Sequence, residues 1–154
     1  MRSTRIGHTK ESCIKNYVMS LFELTKIFEK LPPLERSQKV QEVIDRETNF
    51  GYDEMHDIMQ DLNDEIEELK EELIKHSDKN DNTQRIFEEL GDVLFVIGNL
   101  ANRYKVNSAD ALTYSINEFL RRMFYCEEHY NGVDLKTAPK ETMVKLWKEA
   151  KKNK

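Results

Sequence analysis

Asp53 to His76 reads DEMHDIMQDLNDEIEELKEELIKH, and the order of its apolar residues decides the fold. Met55, Met59, Leu62, Ile66, Leu69 and Leu73 step by 4, 3, 4, 3 and 4. That alternation returns every side chain to one face of a 3.6-residue helix and predicts a long amphipathic helix with a seam for a neighbour. The polar run Ser77 to Asn82 follows as a loop, and Phe87, Leu90, Leu94, Ile97, Ala101 and Tyr104 then repeat the pattern. Two such seams joined by a short polar link predict a helical hairpin.

Working outward, Ser108 and Asp110 open a further helix running to about Tyr130 through Leu112, Ile116, Phe119, Leu120 and Met123, with Ser108 as its expected cap. Asn131-Gly132 ends it. Pro139 fits the first turn of a last helix, Lys140 to Lys152, whose Lys148, Lys151 and Lys152 suit the negative end of the dipole. Upstream, Ile14, Val18, Leu21, Phe22, Leu24, Ile27 and Phe28 predict one helix over Glu11 to Lys30, stopped by Leu31-Pro32-Pro33, after residues 1–10 that read as frayed. A short helix, Leu34 to Thr48, then precedes the turn Asn49 to Tyr52. The expectation is an all-α bundle of four to five helices, with residues 1–30 a polar segment and helix and 31–154 the main domain. The two apolar seams leave surface that a second copy of the chain covers, so homodimerisation completes the bundle.

Composition agrees. In 154 residues there are 24 Lys+Arg and 29 Asp+Glu, a formal net charge of −5, with 38% apolar and 34% charged residues. Five Gly and three Pro are too few for the turns of a sandwich or barrel, which excludes an all-β fold. Without a concentrated basic region, nucleic acid is not an expected partner. The longest greasy stretch, Val93 to Ile97, cannot span a bilayer, and Met1 to Lys15 lacks the apolar centre of a secretory signal, so a soluble, cytoplasmic chain without a membrane partner is expected. Cys13 and Cys126 are expected to stay thiols. His8, His56, His76 and His129 stand at no ligand spacing for zinc, and neither a Gly-rich phosphate loop nor a GxSxG elbow occurs.

Four acids carry chemistry. Glu65 and Glu68, three residues apart, leave one face of the first hairpin helix beside Leu62, Ile66 and Leu69. Glu89 and Asp92 repeat that spacing on the second, where Asp92 runs directly into Val93-Leu94-Phe95-Val96-Ile97 and reads as a carboxylate drawn out of water. No Lys or Arg lies between Ile86 and Asn102. Four converging carboxylates repel one another unless a cation occupies the site, and an all-oxygen donor set suits Mg²⁺, or Mn²⁺, better than Zn²⁺. Asn99, seven residues after Asp92, shares its face and can reach a ligand beside the metal. The competing reading is a solvated acidic helix face, above all for Asp64 to Glu72.

These residues resemble the MazG-type nucleoside triphosphate pyrophosphohydrolases of the all-α NTP pyrophosphatase superfamily, whose signature is EExxE followed by ExxD. Here it reads Asp64-Glu65-Ile66-Glu67-Glu68 and Glu89-Leu90-Gly91-Asp92, flanked by Leu31-Pro32-Pro33-Leu34, Gln38-Lys39, Phe50-Gly51-Tyr52-Asp53, Asn99-Leu100-Ala101, Arg121-Arg122 and Trp147. The resemblance runs over about residues 31–152 and is to the C-terminal domain of longer MazG proteins. It implies a dimer that hydrolyses a nucleoside triphosphate to monophosphate and pyrophosphate, in nucleotide-pool cleansing or control. Glu65, Glu68, Glu89 and Asp92 would be its catalytic acids and Mg²⁺ ligands. Asn99, Arg121, Arg122 and Trp147 would be substrate contacts, Arg122 matching the phosphate position better than Arg121. Apart from the resemblance, both arginines also read as solvated and Trp147 as a packing anchor.

The chain departs from the pattern at Asp64, where the signature has Glu, and at Asp61, Ile116 and Glu118, where the family often has Lys, Asn and Lys. The alternatives are therefore a pyrophosphohydrolase for a modified or pathway-specific nucleotide, and a non-catalytic helical dimerisation module with a degraded site.

Overall fold

The computed structural model describes residues 19–76, 81–132 and 134–153. Its elements are α1 (Leu21–Lys26), α2 (Pro33–Glu47), α3 (Met55–Lys75), α4 (Thr83–Arg103), α5 (Ser108–His129), a 3₁₀ turn (Leu135–Thr137) and α6 (Lys140–Lys152). Among the described residues there is no strand, so the all-α expectation holds.

The predicted helix over Glu11 to Lys30 does not run through. Ser20 is extended (φ −70°, ψ 157°) and caps α1: its hydroxyl accepts from the Glu23 N–H at 3.3 Å while its own N–H donates to the Glu23 carboxylate at 2.8 Å. Helical φ/ψ cannot pass through that residue, which leaves α1 only six residues long. The part of the expectation on residues 11–18, the frayed residues 1–10, Cys13 and most of the Ser77–Asn82 loop lie outside the described residues. Cys126 is a free, fully buried thiol, its pKa raised by that burial.

Ser108 is not the cap of α5 either. Asn107 takes that role, its side chain accepting from the Asp110 N–H at 3.0 Å. Ser108 is instead the first helical residue, buried, with its hydroxyl donating to Gln38 Oε1 at 2.9 Å. This contact belongs to a set of amide bonds that stitches α2 to its neighbours. Gln38 Nε2 donates to the Val106 carbonyl at 2.5 Å, Gln41 Nε2 to Phe95 O at 2.6 Å, and Asn102 Nδ2 to Gln38 O at 2.7 Å. Such bonds satisfy groups whose burial unpaired costs about 1–3 kcal/mol each. They also fix how α2 crosses α4, where the helices approach so closely that a Cβ on Gly98 would stand 2.5 Å from Ser37 Oγ.

Helix α4 packs against both α2 and α3, and α5 pairs with α6. The inner face of α4 presents Val96 and Asn102, with Val43 of α2 and Ile58 of α3 buried beside them in the core. Ile58, 1% exposed, is the deepest residue of α3, yet it lies outside the seam predicted from spacing. Burying such a side chain is worth about 1.5–3 kcal/mol.

The predicted seam of α4 faces outward: Phe87 is 71% exposed, and Leu90, Leu94, Ile97 and Tyr104 are exposed with it. On α5, Leu112, Ile116, Phe119 and Leu120 are exposed as well. Helix α4 carries two apolar stripes, and 3–4 spacing cannot say which of them the chain itself covers.

Candidate metal centre

In an antiparallel α3–α4 hairpin the middle of one helix faces the middle of the other, which brings the acid pairs together across the groove. Glu65, Glu89 and Asp92 each offer a carboxylate oxygen within 4.8 Å of the others. Glu68 lies outside this trio, exposed one turn further along α3, though its charge still reaches Glu65. Three of the four predicted acids are thus brought together directly and the fourth stands at the rim.

The buried acid is not the one the apolar run suggested. Asp92 is exposed, while Glu89 is 6% exposed. Nor is Glu89 without a cation: Arg85, one turn earlier and just outside the stretch free of basic residues, places Nη2 3.6 Å from its carboxylate. Glu65 shows the expected repulsion. Burial, followed by the charges of Asp92, Glu68, Asp61 and Glu89, raises its pKa above the ordinary carboxylate value. A group of hard oxygen donors that resist being ionised together fits a hard divalent cation.

One turn before Glu65, Asp61 accepts a hydrogen bond from the Tyr52 hydroxyl. Burial, this bond and the charges of Asp61, Glu65 and Asp45 push the tyrosine pKa well above its ordinary value, so it keeps its proton. Spacing alone did not reveal this pair, since Tyr52 precedes α3 and carries no helical register. Asn99, with Tyr52, Ile58 and Asn102, lines a cavity of about 500 Å³ that none of the trio lines.

Arg121, Arg122 and Trp147 assemble at the α5–α6 packing. Arg121 is occupied by the Glu118 carboxylate and by the carbonyls of Ala150 at 3.1 Å and Asn153 at 2.8 Å, so it ties down the end of α6. Arg122 pairs with Glu118 at 3.4 Å and lies 5.5 Å over the Trp147 ring, which itself packs on Phe119. Glu118, where the resemblance would place a lysine, is held in its charged form chiefly by its bonds to Arg121. Among the described residues no ion pair joins either arginine to the trio. His56, His76 and His129 belong to no metal-binding cluster, and no described helix is long and apolar enough to cross a membrane.

Comparison with known proteins bears on the same segment. Residues 53–126, which contain the whole hairpin, match the family described as the MazG nucleotide pyrophosphohydrolase domain. "Uncharacterized protein YabN" of Bacillus subtilis (strain 168) is 45% identical over 65 residues, 41% of this chain and 13% of that protein. The nucleoside triphosphate pyrophosphohydrolase/pyrophosphatase MazG of Thermotoga maritima is 27% identical over 123 residues, 79% of this chain and 45% of its own length. The chain spans less than half the length of these curated relatives.

Proposed function

We propose, from the premise that residues 53–126 match the MazG nucleotide pyrophosphohydrolase domain, that this chain hydrolyses nucleoside triphosphates to monophosphate and pyrophosphate. The observation that carries the reading is the approach of Glu65, Glu89 and Asp92 to within 4.8 Å of one another across two helices. These three residues would hold Mg²⁺, or Mn²⁺, and a cation bound there neutralises charge on the phosphates. Glu68, outside the trio and one turn from Glu65, is the carboxylate placed to take a proton from an attacking water. Arg122, stacked over Trp147, presents a guanidinium toward phosphate or base, whereas Arg121 serves the fold. The role is nucleotide-pool cleansing or control.

The outward stripes of α4 and α5 favour a second element of the proposal, a homodimer. Leu94, Ile97, Tyr104 and Leu112, all exposed, line an open apolar groove of about 500 Å³, and contiguous apolar surface of this kind marks an interaction face. A twin copy buries it by symmetry.

The test is pyrophosphate release from a panel of ribo- and deoxyribonucleoside triphosphates with Mg²⁺. Glu89→Gln is expected to lower the rate by about 10²–10³ while circular dichroism stays helical, since it weakens the hold on the cation that would meet the phosphate charge. Release of orthophosphate alone, or an active Glu89→Gln protein, overturns the reading.

A further inference from the structure

Tyr52, Ile58, Asn99 and Asn102 line a cavity against the same two helices, α3 and α4, that carry the acid trio. Register fixes the separation. Ile58 lies seven residues before Glu65 on α3, and Asn99 lies seven after Asp92 on α4. Both intervals are two helical turns, about 10 Å. Between the two, one turn from Glu65, stands the Tyr52–Asp61 pair.

The cavity's character differs from that of the acid site. Its floor is the buried side chain of Ile58, and one wall holds Asn102, 4% exposed and with its side-chain oxygen unbonded. Charges at its mouth mix: Glu42 and Asp45 stand against Arg46, Arg103 and Lys105. Such a site does not select a polyanion, but it suits a flat, neutral, polar ring, and its volume lies in the ordinary range of about 300–1,000 Å³ for small-ligand pockets.

We propose that this cavity is the nucleoside subsite and that the Tyr52–Asp61 pair reads the ribose 2′-hydroxyl, making the substrates ribonucleotides rather than deoxyribonucleotides. The inference rests on the hydrolase reading for the placement of the phosphates at the trio. With the phosphates there, a nucleotide lying along the groove puts its sugar beside Asp61 and its base over Ile58. Tyr52 spends its one proton on Asp61, so both groups meet the sugar as acceptors, and Asp61 keeps lone pairs to spare. A 2′-hydroxyl gives its one proton to the Asp61 carboxylate that Tyr52 holds in place, while a deoxyribose leaves that remaining lone pair desolvated and without a donor. A site built to bond a hydroxyl rejects the analogue that lacks it far better than an apolar pocket rejects an extra one.

The experiment has two arms. In the first, kcat/KM is measured for ATP and dATP, and for GTP and dGTP, in the wild type, Tyr52→Phe and Asp61→Asn. The expected ribo-to-deoxy ratio is about tenfold or more in the wild type and close to one in both variants. A wild-type ratio near one, or a ratio unchanged in the variants, overturns the inference. The second arm needs no turnover: the Ile58 methyl resonance is followed as AMP or dAMP is added to the metal-free full chain. A shift that saturates at lower AMP than dAMP, with the difference lost in Tyr52→Phe, supports the subsite even if no triphosphate is hydrolysed. Hydrolysis with an unmoved Ile58 methyl leaves the enzyme standing and removes the subsite.

Discussion

Arg85 reaches the buried Glu89 carboxylate from one turn away on α4, at 3.6 Å, and brings a positive charge to a site whose other members are all acidic. The arginine is mostly exposed and also bonds Glu88 at 2.8 Å, so it can swing aside. It occupies the place of a positive charge that the carboxylates otherwise demand. A metal held by Glu89, as proposed, would compete with this guanidinium.

Replacing Arg85 with Met keeps the aliphatic stem and removes the charge. The expected result is a metal-free protein that melts lower than the wild type and binds Mg²⁺ severalfold more tightly, so that the rise in melting temperature at a fixed Mg²⁺ concentration is larger in the variant. Thermal scans with and without Mg²⁺ measure both quantities. Equal rises in the two proteins would show that Arg85 does not share Glu89 with the ion.

Glu65 gives the trio a pH signature. In the folded chain its pKa is raised above the ordinary 4.5, so the native state holds this proton more tightly than the unfolded state does. Its contribution to stability is fully present below about 4.5 and is lost as pH rises through the raised folded value. The metal-free wild type should therefore lose stability relative to Glu65→Gln across that window. Subtracting the two curves removes the carboxylates of opposite sign, such as Glu118, whose pKa is lowered. Urea unfolding of both proteins at several pH values, with chelator present, checks the sign.

The uncovered face gives a test of assembly. Sedimentation is expected to return about twice the 18.3 kDa of one chain. Leu94→Glu puts a charge in the middle of the α4 stripe, at a residue already 44% exposed in the single chain, so the fold tolerates it. That variant should sediment as a monomer with its helicity intact. A wild-type monomer at tens of micromolar refutes the proposed dimer.

Periodicity located α3, α4 and α5 because long stripes dictate helices whatever covers them, while Pro139 and the lysines Lys148, Lys151 and Lys152 marked α6. It could not tell inside from outside on α4, where Leu90 and Leu94 face away while Val96 is buried. It also missed Ile58, which lies off the regular seam yet is the one buried residue of α3. Helix starts failed where a side chain had better employment elsewhere: Ser108 is drawn to Gln38, and Asn107, an equally good cap, replaces it. For the site, spacing singled out Glu65, Glu89 and Asp92, which the fold brings together, but the buried acid is Glu89 rather than Asp92. The Tyr52–Asp61 bond depends on how the chain enters α3, which no local pattern encodes.

Lys105 tests how α4 ends. Its φ of 55° is the one positive value at a non-glycine among the described residues. The Val106 N–H bonds the Ala101 carbonyl at 2.9 Å and the Lys105 N–H bonds Asn102 O at 3.1 Å, the pairing of a Schellman cap in which glycine is usual at the left-handed position. A side chain there crowds the backbone at a cost of about 1–2 kcal/mol, part of which glycine gives back through its freer unfolded chain. Lys105→Gly should therefore stabilise the protein by about 0.5–1 kcal/mol, which for a chain of this size raises the melting temperature by roughly 1–4 °C. Because Lys105 also lines the mouth of the proposed nucleoside cavity, comparing Lys105→Gly with Lys105→Gln separates backbone relief from loss of charge. Glutamine removes the same positive charge but keeps its Cβ in the left-handed region, so a gain shared by both variants in full points to charge, and a gain clearly larger for glycine points to the backbone.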